Sequence, residues 1–110
     1  MPTSRLPRSL RIGPYTYTLR VDDAAILAYQ AQAGEIVGAL THLESFEMKF
    51  ASTSSGPSTV LHEVLHVLMD QSGLAQRLGD EREEDTIQSL DHLLLGVLRA
   101  NPALVAYLVA

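Results

Sequence analysis

The sequence predicts an α+β fold, with strands in the first half of the chain and helices in the second. Three observations carry this. Apolar and polar residues alternate through residues 15–21 and again through 45–51; an almost unbroken apolar run begins at Thr59; and apolar residues recur at helical spacing after Asp80. At 110 residues, with 46% hydrophobic and 19% charged positions, the chain has material for one core and no separate substrate domain.

Residues 1–10 contain Arg5 and Arg8 and no acidic residue, and are read as a flexible basic arm; residues 11–110 are read as a single domain. In RIGPYTYTLRV, residues 11–21, Tyr15, Tyr17 and Leu19 share one face after the Gly13–Pro14 break, against Thr16, Thr18 and Arg20. That is a strand. Asp22 and Asp23 precede AAILAYQAQAGEI, a helix with an aspartate N-cap and Gly34 as its stop. Residues 37–43 and 45–51 read as extended, with Phe46, Met48 and Phe50 alternating against Glu47 and Lys49, and should form a hairpin or meander. STSSGPS, residues 52–58, is turn chemistry that places Pro57 to start a helix.

The run TVLHEVLHVLMDQ, residues 59–71, is apolar enough to require a largely buried helix, with Gly73 as its C′ residue. A further helix spans residues 80–100, where Ile87, Leu90, Leu94, Val97 and Leu98 recur at helical spacing before Asn101 and Pro102 break it. The tail PALVAYLVA makes a short last helix with Asn101 as N-cap. Its apolar residues suit either a partner surface or a cover for a cleft.

Charge narrows the function classes. Arg5, Arg8, Arg11 and Arg20 make the first twenty residues +4, so the overall −5 leaves −9 on the remainder. An acidic body is a poor partner for nucleic acid, which demands clustered Lys and Arg. No apolar run approaches the roughly 20 residues of a membrane span, and the N-terminal residues lack the apolar stretch of a secretory signal. Zero cysteines removes disulfides, thiolate ligands and a cysteine nucleophile together, so any metal must be held by histidine and carboxylate. A cytoplasmic setting fits this composition.

The chemistry concentrates in His62-Glu63-Val64-Leu65-His66, an HExxH motif inside the apolar helix. Residues four apart on a helix differ by about 40° in direction, so His62 and His66 project from one face and can grip one ion. Glu63 follows the first ligand, beside the position a catalytic zinc leaves open, where it can act as general base. A lone histidine on an apolar helix face is ordinarily a hydrogen-bonded core residue. Two of them on one face, with a carboxylate beside them, point instead to one Zn2+ per chain.

A catalytic zinc site wants a third protein ligand, and the next helix opens with DEREED. Glu81, Glu83, Glu84 and Asp85 are candidates, although acidic residues suit any helix N-terminus through its dipole. Asp80 and Glu83 have the spacing of a capping box, which would commit Glu83 to backbone amides. Glu84 shares its flank with Ile87 and Asp91 and is chosen narrowly over Glu83. Asp70 and Asp91 stand where either can hydrogen-bond a ligand imidazole, with a solvated surface position as the preferred reading of each. His42, His92, Tyr29 and Tyr107 are weighed as oxyanion donors or packing residues, and none is assigned.

The segment TVLHEVLHVLMD, the acidic helix start after it, and LRANPALVAYL together resemble short phage-type and ImmA/IrrE-like gluzincin metallopeptidases; RIGPYTYTL resembles their first strand. The resemblance implies a minimal core: a small, mostly antiparallel sheet packed on the HExxH helix, a following glutamate-bearing helix and a short C-terminal helix. It implies zinc ligation by His62, His66 and Glu84, catalysis by Glu63, and a peptide or protein substrate lying extended along the sheet edge. The expected function is therefore hydrolysis of peptide bonds by a zinc-activated water. The alternative is a non-catalytic phage or regulatory interaction module that keeps a structural or vestigial zinc site.

Overall fold

The computed structural model describes residues 5–110. Strands β1 (Ser9–Ile12) and β2 (Tyr15–Val21) form an antiparallel hairpin whose register pairs Ile12 with Tyr15. The two-residue loop between them needs a left-handed first position, which Gly13 supplies at φ 61°. This corrects the predicted arm. Ser9 and Leu10 belong to β1, and Leu6 packs against the core; residues 1–4 lie outside the described part. The signal missed was the alternation through Leu6, Leu10 and Ile12, which three arginines obscured.

Helix α1 (Asp23–Ala33) begins where the Asp22 carboxylate accepts a hydrogen bond from the Ala25 amide, and ends at left-handed Gly34. Strands β3 (Ala39–His42) and β4 (Glu47–Phe50) form the second hairpin, joined through Phe46, whose φ of 57° is held by stacking on Tyr15 and an edge contact with Tyr17. Sheet order is β1-β2-β4-β3. Two of the three pairings are antiparallel, whereas β2 and β4 run parallel because α1 and β3 intervene along the chain. One edge of the sheet is therefore β3.

After a 3-10 turn at Ser52–Ser54 come four helices: α2 (Pro57–Gln71), α3 (Leu74–Leu78), α4 (Asp80–Ala100) and α5 (Pro102–Leu108). The architecture is α+β, a small mixed sheet with helices packed on it. The short α3 was not predicted: its five residues, between left-handed Gly73 and Gly79, are too few to show a helical period. Among the described residues, no helix is long and apolar enough to cross a membrane.

Tyr17, Leu19, Met48 and Phe50 from the sheet, with Ile12, bury against Val67 of α2. Met48, Phe50 and Val67 are fully enclosed, and burial of each stabilises the fold by about 1.5–3 kcal/mol. Helix α2 thus has one flank on the sheet and another against α4. Its C-terminal end is pinned by Gln71, whose Nε2 donates to the Ile12 carbonyl at 2.8 Å. A Cβ on Gly13 would stand 2.4 Å from Gln71 Oε1, on a backbone that is already left-handed. Gly13→Ala is accordingly expected to cost about 1–3 kcal/mol of stability, read as a lower urea midpoint with unchanged slope.

Candidate metal centre

The apolar stripe of α2 that packs on the sheet sets the helix rotation, and that rotation turns His62 and His66 toward α4, with ring centroids 5.0 Å apart. Their Nε2 atoms converge on one carboxylate oxygen. Glu84 Oε1, on α4, lies 2.6 Å from Nε2 of His62 and 3.2 Å from Nε2 of His66. Each Nδ1 is held by a different carboxylate: Asp91 Oδ2 at 2.9 Å for His62 and Glu83 Oε2 at 2.5 Å for His66.

Glu63 is turned the other way. Its Oε1 accepts a 2.6 Å hydrogen bond from the Thr41 hydroxyl on β3, and Oε2 takes none of the hydrogen bonds among the described residues. Ligand atoms of His62, Glu63 and His66 all lie within 4.8 Å of one another, so Glu63 borders the same space. The carboxylate touching both imidazoles is that of Glu84, whereas the cluster of convergent ligand atoms takes in Glu63, which Thr41 ties to the sheet.

Donors about 2.0–2.1 Å from a tetrahedral ion stand roughly 3.3 Å apart. The Glu84–His66 spacing of 3.2 Å meets this, and the 2.6 Å Glu84–His62 contact has to open by about 0.7 Å. Two imidazoles and one carboxylate, with both rings braced from behind, are a donor set that fits zinc. Both ring nitrogens of His62 face carboxylate oxygens, which favours the protonated ring. Burial alone would lower the His62 pKa, but the Asp91 hydrogen bond, the charge and hydrogen bond of Glu84, and the charge of Glu63 together hold it above its ordinary 6.5.

Asp91 is the residue whose role differs most from expectation. It is only 3% exposed, not a solvated surface group. Burial would raise its pKa; hydrogen bonds from His62 and from the ring and amide of His92 hold it below 3.8. The signal was present in the sequence, since Asp91 lies one turn from Ile87 on the face that packs on α2. Glu83 corrects a second expectation. Helix α4 is entered from Gly79, whose carbonyl already accepts from the Glu83 amide, so Asp80 caps nothing and the Glu83 side chain is released to reach His66. Glu81 and Asp85 are exposed and make no contact with the two histidines among the described hydrogen bonds.

A cleft runs past this centre. One lobe, about 450 Å³, is bordered by Leu43, Asp70, Gln76 and Glu83; the other, about 520 Å³, by Tyr29, Leu40, Gln88 and His92; Thr41, Glu63 and His66 line both. Edge strand β3 forms a wall along both. No family model, curated protein or solved structure matches this chain.

The remaining candidates fall outside the centre or at its rim. Asp70 borders one lobe without touching a histidine ring. The exposed ring of His92 leans on Asp91 at 2.6 Å, and the Tyr29 hydroxyl donates to Glu35. His42 lies on β3, its Nε2 buried without a partner among the described residues. Tyr107 and the rest of α5 line neither lobe, so the tail does not cover the cleft. Asn101 stands at the start of α5, but its side chain donates back to Val97 instead of capping. The contact least visible in the sequence is Thr41 to Glu63, because it joins residues 22 apart through the docking of the sheet on α2.

Proposed function

We propose that the chain is a zinc-dependent, gluzincin-like metallopeptidase, in which His62, His66 and Glu84 hold one zinc ion and Glu63 is the general base. The observation that carries this reading is the meeting of both Nε2 atoms on Glu84 Oε1, beside a Glu63 carboxylate anchored at one oxygen only. Zinc, when bound, supplies a Lewis acid that polarises the scissile carbonyl and acidifies water. Glu63 takes the proton of the attacking water on its second oxygen and passes it to the leaving amine, while Thr41 keeps the first oxygen in place. Asp91 and Glu83 hold the two imidazoles at fixed orientation through their Nδ1 atoms. The outer edge of β3 offers backbone groups to an extended peptide, which would bring a peptide bond past Glu63. The reading includes a cytoplasmic setting, which a chain without cysteine suits.

Elemental analysis of the purified protein is expected to find about one zinc per chain, and His62→Ala to lose it along with cleavage of a peptide library. Absence of zinc after reconstitution near neutral pH would refute the reading. One tightly held zinc with no cleavage of any peptide would favour the alternative, a non-catalytic module stapled by its metal.

A further inference from the structure

We infer that the C-terminal half of α4 and α5 together form the contact surface between two copies of this chain. The inference is independent of the metal reading and starts from surface area. A folded monomer of 12.0 kDa exposes about 6,000 Å². This chain exposes 7629 Å², about 1,600 Å² more. Residues 1–4 account for at most about 600 Å² of that even if fully solvated. The radius of gyration, 14.6 Å, likewise exceeds the roughly 13 Å of a compact domain this long. An excess of about 1,000 Å² is what one partner contributes to an interface of standard size, about 800 Å².

Among the described residues, seven of the fifteen exposed large apolar side chains lie on α4 and α5, and Val109 follows them. Leu90, Leu93 and Val97 form an exposed stripe on α4 at helical spacing, and Leu104, Tyr107 and Leu108 are exposed at helical spacing on α5. Leu93 is 69% exposed and Tyr107 79%, high values for such side chains. Helix α5 leans mainly on α4, from which Asn101 alone separates it along the chain.

Charge selects the occupant. Across a two-fold axis each patch meets itself, so any net charge on it would face its own sign. The chain as a whole carries −5, yet from Leu93 to Ala110 the only charged side chain is Arg99. On this face two acidic bodies meet with only Arg99 of each copy opposed, α4 and α5 of one against those of the other. A lipid surface is the weaker fit, because interfacial helices carry Lys and Arg along their polar side and Arg99 stands alone here.

Light scattering coupled to size exclusion, over about 5–200 µM protein, tests this. The expected mass is twice the 12.0 kDa of the chain, and the double variant Leu93→Glu, Tyr107→Glu should run at the single-chain mass, its dissociation constant raised at least about 100-fold. Both positions are exposed, so far-UV circular dichroism of the variant should match the parent. Leu27→Glu, at an exposed position on α1, should remain a dimer. A parent protein that stays monomeric across the range would overturn the inference, as would a dimer that survives the double substitution. Flotation of a monomeric parent with phosphatidylcholine vesicles would also overturn it, assigning the face to lipid.

Discussion

Glu63→Gln is expected to lower peptide hydrolysis by about 10²–10⁴-fold while the protein keeps one zinc per chain. The amide retains the oxygen that accepts from Thr41, so neither β3 nor α2 has a reason to shift. What it loses is the ability to take a proton, which amounts to about 3–5 kcal/mol of transition-state stabilisation. Because that interaction is made only as the reaction proceeds, kcat should fall and KM should stay close to the parent value. Equal zinc content with undiminished turnover would remove Glu63 from the mechanism. Loss of zinc in the variant would instead make Glu63 a ligand and reopen the role of Glu84.

The second large effect belongs to Asp91→Asn. The native carboxylate is buried and hydrogen-bonded to His62, and hydrogen bonds to a charged group contribute about 1.5–3 kcal/mol. The zinc-free variant should be less stable by about that amount, and zinc should bind about 10–100-fold more weakly because the His62 ring loses its brace. The pH profile distinguishes this from general damage. His62 has a folded pKa above its unfolded 6.5, so its contribution is complete below 6.5 and is lost as pH rises through the folded value. Asp91 has a folded pKa below 3.8, so its contribution is complete above 3.8 and is lost as pH falls through the folded value. The pair therefore stabilises the zinc-free protein fully only between about pH 3.8 and 6.5. Thermal melts across pH should show that maximum in the zinc-free parent and a flatter curve in Asp91→Asn. Saturating zinc should move the optimum toward neutral pH, since the metal takes the nitrogens that protons hold in acid. A parent whose zinc-free stability rises steadily from pH 6 to 8 would contradict the assignment.

The residues read from local pattern and those decided by packing separate cleanly along the chain. Alternation at Tyr17, Leu19, Met48 and Phe50, helical periodicity in α2 and α4, the Asp22 cap and the Gly34, Gly73 and Pro57 boundaries are all near-neighbour physics, legible without tertiary structure. So is the pairing of His62 with His66 on one face, because four residues on a helix return to nearly the same direction. The β1 strand escaped because arginines interrupt its alternation, and the five-residue α3 because it is too short to show a period between its glycines.

What the sequence determined by itself was the α+β class and the set of side chains able to hold a metal. Which carboxylate meets which histidine was decided only when α4 docked on α2: Glu84 between the two rings, Asp91 behind His62, Glu83 drawn from its expected cap to His66, and Thr41 brought from β3 to Glu63. The reason is physical. Periodicity records the direction of a side chain from its own helix axis, whereas partner choice depends on the rotation and offset of a second element, and these follow from the packing of the whole core.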